Sequence, residues 1–352
     1  MEYIKKSFWV KKKVLITGVT GFKGSWLALI LLELGVKVYG LGLKPKTSPS
    51  LYNSLKLNKK IKYFNCDINS KKKLSKIIYK IKPDIIFHFA AQSLVIESYL
   101  NPIETYKTNI IGTSNLFEII SRIKKKVSIL VTTTDKVYKN LNRKKSFKEI
   151  DLIGGTDPYS ASKASSEIIC DYYQFKFNNS NKIINIARSG NVIGGGDFAK
   201  NRIFPDIYKS ILNKQKLKIR SINSVRPWQH VLEPLYGYIK TVEISFNNKL
   251  RPDVYNYGPN KNQILNLKSI LKIVKTIYPK LSYKVEKKIF YESKFLSLNS
   301  SKIKSKIGYD QIWDIKKTVN RTMGWYLEFM KKKNAINLCK DDIKEFNKDL
   351  LK

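Results

Sequence analysis

The sequence is short of acidic residues, histidine and cysteine, and each shortage excludes a class of protein. Asp and Glu number 27 against 67 Lys and Arg, and there are two histidines. The cysteines, Cys66, Cys170 and Cys339, lie far apart, so they have neither the spacing of a metal site nor that of a disulfide framework. We therefore expect no bound metal and a reducing, cytoplasmic location.

Long apolar segments are also missing. The longest such run, residues 26–32, is broken by Glu33 and is too short to span a bilayer. Residues 1–13 contain no apolar stretch of the length found in signal peptides. These observations predict a protein without a membrane partner.

The net charge of +40 has two interpretations. A strong positive charge is typical of proteins that bind nucleic acid or anionic membranes. Here the lysines are scattered along the whole chain in short clusters, and no motif of a nucleic-acid-binding module accompanies them. We favour a lysine-biased composition of the solvated surface, and we expect no nucleic-acid partner.

A glycine-rich turn follows the first predicted strand, residues 14–17, and precedes a helical pattern over residues 25–34. It carries Gly18, Gly21 and Gly24, spaced by three. This spacing permits a tight turn, a close approach of the backbone to a pyrophosphate and close packing of a helix whose N-terminus attracts phosphate. The stretch predicts a dinucleotide site, and a plain surface turn is the alternative.

The rest of the chain alternates strands and helices, which predicts an α/β fold with a doubly wound parallel Rossmann sheet. Further strands are expected at residues 36–40, 61–65, 85–89, 127–132 and 183–187. Small or polar residues follow several of them. Asp67 could bind an adenine amino group, and Ala90 and Ala91 would let a cofactor approach. The end of the second strand has no acidic residue for a ribose, which leaves NAD and NADP both possible.

The domain organisation follows from this alternation. We place the NAD-binding Rossmann domain at residues 1–190, with the chain returning to it near 228–262. Residues 191–227 and 263–352 would form a smaller C-terminal α/β substrate-binding domain. We expect the tail after Lys331 to be loosely docked or frayed.

Residues 157–163, with the sequence Asp-Pro-Tyr-Ser-Ala-Ser-Lys, carry a tyrosine and a lysine four positions apart. Asp157 and Pro158 suit the N-cap and first turn of a helix. Tyr159 and Lys163 then lie one turn apart on the same face. The lysine can lower the pKa of the phenol and hold a cofactor ribose, while the tyrosine accepts a proton from a substrate hydroxyl. Because lysine is so abundant here, this spacing alone is a weak signal.

Polar residues also follow the strand at 127–132. Thr134, Asp135 and Lys136 would point into the crevice beyond the carboxyl ends of the strands, where ligands bind in such sheets. A threonine-rich strand end with a capping aspartate is the alternative. We expect His88, inside its strand, to be packed rather than catalytic.

The segment at residues 188–197 contains too much glycine for us to expect regular structure. Farther along, Arg226 stands beside Trp228 at the start of a short strand. An arginine in such a position suits a bidentate contact with phosphate.

These motifs resemble those of the extended short-chain dehydrogenases/reductases that act on nucleotide sugars: the glycine turn, Ala90 and Ala91, Asn109, Thr134 and Asp135, and the pair Tyr159 and Lys163. Four longer strings resemble the CDP-glucose 4,6-dehydratases among them: residues 21–27 (GFKGSWL), 133–138 (TTDKVY), 190–197 (GNVIGGGD) and 226–234 (RPWQHVLEP). The likeness runs from about residue 8 to about residue 330. Val19 departs from the histidine usual in that glycine turn, which affects a local cofactor contact rather than the fold.

The resemblance implies a lyase with tightly held NAD that converts CDP-glucose to CDP-4-keto-6-deoxyglucose and water. Tyr159, activated by Lys163 and oriented by Thr134, would take the carbon-4 hydroxyl proton as hydride passes to NAD⁺. Lys136 would then remove the carbon-5 proton, and Asp135 would protonate the departing carbon-6 hydroxyl, although the reverse assignment stays open. Hydride would return to carbon 6.

The resemblance also implies the binding residues. The cofactor contacts would be Gly18, Gly21, Phe22, Gly24, Asp67, Ala90, Ala91 and Lys163. The sugar-nucleotide contacts would be Asn191, Arg202 and Arg226, with Arg226 as the diphosphate clamp. The family further implies a homodimer, or a dimer of dimers, formed through the helices near residues 104–123 and 159–177.

Other functions stay open. A nucleotide-sugar 4-epimerase or reductase could use the same scaffold, but an epimerase eliminates no water and has no need of the pair Asp135 and Lys136. A dehydratase acting on another nucleotide sugar is a further alternative. A nucleic-acid-associated Rossmann protein without enzymatic activity is suggested by the net charge alone.

Overall fold

The computed structural model describes residues 3–141, 144–178, 180–286 and 293–352. The helices and strands of the first half are α1 (Lys6–Trp9), β1 (Lys13–Thr17), α2 (Phe22–Glu33), β2 (Lys37–Gly42), α3 (Leu51–Ser54), β3 (Lys62–Asn65), α4 (Lys71–Ile81), β4 (Ile85–His88), α5 (Val95–Leu100), α6 (Pro102–Tyr106), α7 (Gly112–Ser121), β5 (Val127–Thr132), α8 (Pro158–Lys176) and β6 (Lys182–Ser189). A π-helical segment, Lys107–Ile111, joins α6 to α7.

The elements of the second half are β7 (Val192–Ile193), α9 (Ile203–Leu212), β8 (Leu217–Ile219), β9 (Val225–Pro227), β10 (Gln229–His230), α10 (Leu232–Phe246), β11 (Val254–Tyr257), β12 (Ile264–Asn266), α11 (Leu267–Ile277), β13 (Tyr283–Val285), α12 (Ser301–Ile307), α13 (Ile315–Met330) and α14 (Ala335–Leu350). Three small sheets lie outside the main one, formed by the pairs β7 and β10, β9 and β12, and β8 and β13.

Seven parallel strands form the central sheet, in the order β11-β6-β5-β4-β1-β2-β3. Every residue of β5 and β6 is buried, as expected for strands covered on both faces. The strand order reverses between β1 and β4, and a crevice for ligands forms beyond the carboxyl ends at such a point. The predicted fold class is therefore confirmed.

Alternate residues of each strand point to opposite faces of the sheet and into two apolar cores. In β1, Val14 and Ile16 pack on the face covered by α2 and α10. Leu15 points to the other face, which α4, α7 and α8 cover. Helices thus cover both faces of the main sheet. The carboxyl ends of its strands are not covered by these helices, and the crevice forms there.

The C-terminal tail is a docked helix, contrary to our expectation of a loose or frayed one. Cys339, Ile343 and Phe346 lie on one face of α14 and are buried. Asp342 accepts a hydrogen bond from Nε of Arg321 in α13 at 2.6 Å. The apolar spacing of three and four residues is the signal for this helix, and the surrounding lysines obscured it.

The glycine-rich segment at residues 188–197 also contains more regular structure than we expected. β6 continues to Ser189, and β7 pairs with β10. The consecutive glycines, Gly194 to Gly196, begin only after Ile193. The residues before them can therefore form the backbone hydrogen bonds of a short β-strand. In the part of the chain that the structure describes, no helix has the length and apolar character needed to cross a membrane.

Candidate active site

The glycine turn packs tightly between β1, α2 and the end of β4. Gly18 has a φ of +70°, and a Cβ at that position would lie 2.7 Å from the amide nitrogen of Ala90. A Cβ on Gly24 would lie 2.4 Å from the carbonyl oxygen of Gly18. Gly21 is the N-cap of α2 and has no side chain to cap the helix, so the first-turn amides, from Phe22 onward, can donate to phosphate. The turn therefore fits the diphosphate of a dinucleotide.

The other expected cofactor residues border the same edge of the sheet. The amide of Ala90 donates to Oγ1 of Thr17 at 3.2 Å, which fixes the small residues Ala90 and Ala91 beside the glycine turn. Asp67 is exposed at the end of β3, two strands from β1, and its carboxylate accepts the amide of Asn69 at 2.9 Å. Asp67 therefore lies at the far end of the crevice, where an adenine would be expected.

The tyrosine and lysine lie at the start of α8, as predicted. Asp157 caps this helix by accepting the amide of Ser160 at 2.9 Å, and Pro158 is its first residue. Both Tyr159 and Lys163 are buried on the side that faces the sheet. Lys163 donates from Nζ to the carbonyl oxygen at the end of β5, that of Thr132, at 2.8 Å.

Burial has the largest effect on the electrostatics of this pair. Burial raises the pKa of Tyr159 to about 12, while a hydrogen bond with Thr134 and the charge of Arg202 act in the opposite direction. Burial lowers the pKa of Lys163 to about 8. Thr134 and Arg202 favour the phenolate of Tyr159.

Thr134, Asp135 and Lys136 form a short turn directly after β5. Oγ1 of Thr134 accepts the amide of Lys136 at 3.3 Å and donates to Oδ1 of Asp135 at 3.0 Å. Asp135 is buried, and among the described residues none forms a hydrogen bond with its Oδ2. Burial raises the pKa of Asp135, while the charges of Lys136 and Arg226 oppose that shift. A raised pKa favours the protonated form of a carboxyl group, which is the form that can act as a general acid.

The three expected substrate contacts lie around this turn. Arg226 is buried, donates to the carbonyl of Val225 at 2.8 Å and acts electrostatically on Asp135. Arg202 donates to Asp197 at 2.9 Å and to Ser93 at 3.0 Å.

Asn191 is half-buried and follows Gly190, where an added Cβ would lie 3.2 Å from Oδ2 of Asp135. The structure thus brings the arginines and the turn after β5 together, with Asn191 at the edge of the group.

Sequence reasoning missed a third lysine in the crevice, besides Lys136 and Lys163. Lys23, in the first turn of α2, donates from Nζ to Oγ of Ser189 at 2.6 Å. Burial, followed by the charges of Arg202 and Lys163, lowers the pKa of Lys23 to about 7, and Asp135 opposes this shift. Its position inside the glycine turn could have identified it from the sequence. In a chain with so many lysines, that position is easily overlooked.

A buried ion pair that sequence reasoning also missed supports the turn after β5. Nε of Arg188 donates to Oε2 of Glu167 at 2.9 Å, and the two side chains are 4% and 1% exposed. Thr133 donates to the same carboxylate, and Nη1 of Arg188 donates to the hydroxyl of Tyr138 at 2.8 Å. The pair therefore fixes the chain on both sides of residues 134–136.

His88 lies outside this group. Its two ring nitrogens are 2.8 Å from Oγ1 of Thr17 and 3.0 Å from Oγ1 of Thr113. Burial lowers the pKa of His88 to about 3, so the ring is neutral. Its surroundings are those of a packed side chain.

Comparison with known proteins agrees with this geometry. The family model described as GDP-mannose 4,6 dehydratase matches residues 15–322. A CDP-glucose 4,6-dehydratase of Salmonella typhimurium is 36% identical, over 97% of this chain and 98% of that protein. A UDP-glucose 4-epimerase of Mycoplasma genitalium is 25% identical, over 91% of this chain and 97% of that protein.

Solved structures share the fold. The crystal structure of a dTDP-glucose 4,6-dehydratase from Bacillus anthracis in complex with NAD superposes with a TM-score of 0.75 at 21% identity, covering 90% of this chain and 97% of that one. The family prediction is confirmed by the length and identity of the sequence matches. The chain belongs to the GDP-mannose 4,6 dehydratase family, within the extended short-chain dehydrogenases/reductases.

Proposed function

We propose that the protein is an NAD-dependent nucleotide-sugar 4,6-dehydratase that converts CDP-glucose to CDP-4-keto-6-deoxyglucose and water. The observation that carries the proposal is the buried carboxyl group of Asp135, held beside Lys136 and near Tyr159. An oxidoreductase that only exchanges hydride needs a tyrosine and a lysine, whereas the removal of water also needs an acid and a base. The Salmonella typhimurium relative, named as a CDP-glucose 4,6-dehydratase, supports the choice of substrate.

NAD is held by the glycine turn, with Asp67 at its adenine end and Lys163 at its ribose. When bound, it supplies a hydride acceptor for carbon 4 of the sugar and a hydride donor for carbon 6. The residues of this chain supply proton transfer, orientation and charge around that exchange.

Tyr159 takes the proton of the carbon-4 hydroxyl. With a pKa of about 12 it is a weak acid in the resting protein. Arg202 stabilises the phenolate through its charge, and the hydroxyl of Thr134 does so when it donates to Tyr159 instead of to Asp135. The carbon-4 ketone that results acidifies the hydrogen on carbon 5.

Lys136 accepts the carbon-5 proton, and Asp135 protonates the carbon-6 hydroxyl, which leaves as water. Lys136 then returns a proton to carbon 5 when hydride is delivered to carbon 6. Burial favours this assignment over its reverse, because it raises the pKa of Asp135 and so favours the form that can donate a proton. The Oδ2 atom of Asp135 has no hydrogen-bond partner among the described residues, so it is available to the leaving oxygen.

The substrate lies between two parts of the chain. We assign residues 1–190 and 228–262 to the NAD-binding domain, which is supported by the pairing of β11 with β6. Residues 191–227 and 263–352 form the substrate-binding domain. It supplies Arg226 for the diphosphate, and Arg202 and Asn191 for the rest of the sugar nucleotide.

We further propose that the protein is a homodimer formed through the neighbouring helices α6, α7 and α8. Large apolar side chains are exposed on this surface, which is unusual for a monomer. They are Ile103, Ile111, Ile168, Tyr172 and Phe175, the last of them 80% exposed. Three of them, Ile168, Tyr172 and Phe175, belong to α8, and their spacing of four and three places them on one face of that helix.

Analytical ultracentrifugation tests the dimer. The F175E variant should sediment as a monomer, because a charge would be buried at the interface without a partner. The matched control is I150E, which changes an apolar residue that is 90% exposed outside this surface and should leave the dimer intact. Monomeric wild-type protein would contradict the proposal.

The three buried cysteines, all free thiols, support a reducing cytoplasm as the location.

The function is tested by incubating the purified protein separately with CDP-glucose, dTDP-glucose, UDP-glucose and GDP-mannose. We expect CDP-glucose to lose water and to give a 4-keto sugar that absorbs in alkali. The D135A variant should fail to release water. A product of unchanged mass would indicate an epimerase. Turnover of another nucleotide sugar in preference to CDP-glucose would overturn the assignment of cytidine diphosphate as the nucleotide of the substrate.

A further inference from the structure

Lys23 is an amine of the crevice that takes no part in the steps above. It stands directly before Gly24 in the first turn of α2, and its Nζ donates to Oγ of Ser189 at 2.6 Å. Ser189 is the last residue of β6, on the other side of the crevice from β1. The side chain of Lys23 therefore extends from the glycine turn across the carboxyl edge of the sheet.

Several charged or titratable groups face Lys23. Lys163 from α8 and Arg202, just before α9, repel its ammonium, and Asp135 after β5 attracts it. The ring of Tyr238 in α10 lies 6.0 Å from Nζ. Burial has the largest effect, and together these groups lower the pKa of Lys23 to about 7. Its charge thus changes within the physiological pH range.

We propose that Lys23 faces the nicotinamide end of the bound dinucleotide and that its positive charge weakens the binding of NAD⁺ relative to NADH. The inference rests on the NAD binding proposed above. A dinucleotide with its diphosphate on the glycine turn and its ribose at Lys163 carries its nicotinamide ring on that ribose, and so close to Lys163. The amine of Lys23 extends into the same part of the crevice, because it donates to Ser189 and is acted on by the charge of Lys163.

The physical reason is the charge of the ring itself. The oxidised nicotinamide ring is a cation, whereas the reduced ring is neutral. A nearby ammonium therefore repels NAD⁺ but has little effect on NADH. The result is a stronger bound oxidant, which assists removal of hydride from carbon 4 and slows its return to carbon 6.

Equilibrium dialysis against mixtures of NAD⁺ and NADH measures the ratio of the two dissociation constants. At pH 6 we expect the ratio Kd(NAD⁺)/Kd(NADH) of the wild type to exceed that of K23M by about tenfold. For a two-electron couple, a tenfold change corresponds to about 30 mV. The control K37M removes an exposed lysine at the amino end of β2, where the crevice does not lie, and it should keep the wild-type ratio.

The pH dependence separates Lys23 from its neighbours. By pH 9 the difference between the wild type and K23M should disappear, because Lys23 is then neutral. The K23R variant should keep the high ratio at pH 9, because arginine stays charged. Lys163 also titrates in this range, with a pKa of about 8. It is present in all these proteins, so a high ratio retained by K23R at pH 9 assigns the effect to the charge at position 23 rather than to Lys163.

Two results would overturn the inference while leaving the proposed function intact. One is an equal ratio in the wild type and K23M at pH 6. The other is an equal loss of affinity for both dinucleotides in K23M, which would mark Lys23 as a phosphate contact. If the wild type bound neither dinucleotide, the proposed function would fail, and this inference with it.

Discussion

Replacing Arg188 with methionine should destabilise the protein by about 3–5 kcal/mol, the usual cost of removing one partner of a buried ion pair. The carboxylate of Glu167 is 1% exposed, and water cannot replace the guanidinium that now neutralises it. The variant also removes the donor to Tyr138. Thr133 would be the donor left to Glu167, and one neutral hydroxyl does not compensate for the lost charge.

Urea unfolding followed by far-UV circular dichroism measures this loss, provided that the m-value is unchanged. The double variant E167M/R188M should be more stable than R188M, because no unpaired charge remains in the core. Its residual loss should be about 1–3 kcal/mol, the cost of leaving the hydroxyl of Thr133 without its acceptor. The experiment therefore distinguishes the cost of an orphaned charge from the cost of the altered packing.

The matched control is R122M. Arg122 pairs with Glu118 at 3.1 Å, but the two side chains are 67% and 36% exposed. Solvent screens this pair, so its loss should cost at most about 1 kcal/mol. If R188M cost no more than R122M, or if the double variant were less stable than R188M, the ion pair would not be what holds the turn after β5.

Three further predictions concern the site and the tail. Y159F should lower kcat by a factor of about 10² or more without altering the far-UV spectrum, because the acceptor of the carbon-4 proton is lost. K136A should abolish exchange of the carbon-5 hydrogen with deuterated solvent, followed by NMR, and wild-type exchange would remove Lys136 from the role of base. F346A should unfold at a lower urea concentration, with a loss of about 3–5 kcal/mol, because Phe346 is fully buried. An unchanged midpoint would show that α14 is not part of the cooperative core.

The features that sequence reasoning found are those with short-range causes. The glycine turn depends on residues three apart, and the start of α8 depends on Asp157 as N-cap and Pro158 in the first turn. These signals lie within a few positions of one another, so they can be read without the fold. The parallel sheet follows from the alternation of apolar strands with helices, which is also a local pattern.

The features that sequence reasoning missed depend on contacts between distant segments. Lys23 differs from the many other lysines only because Ser189, 166 positions later, accepts its hydrogen bond. Glu167 and Arg188 become an ion pair because α8 and β6 pack side by side. The raised pKa of Asp135 likewise arises from burial by the folded chain rather than from its neighbours in sequence.

Burial of Asp135 also explains how one carboxyl group can serve the proposed elimination in a crevice with several cations. Before elimination, burial outweighs the neighbouring charges, so the pKa of Asp135 is raised, which favours the form of the carboxyl group that can protonate the leaving oxygen. After elimination, Asp135 is a carboxylate, and the charges of Lys136 and Arg226 stabilise it. Lys136 has by then gained the carbon-5 proton. Lys136 then gives a proton back to carbon 5 as hydride reaches carbon 6. Transfer to Asp135 of the proton that Tyr159 took from the carbon-4 hydroxyl restores the remaining two groups and closes the cycle.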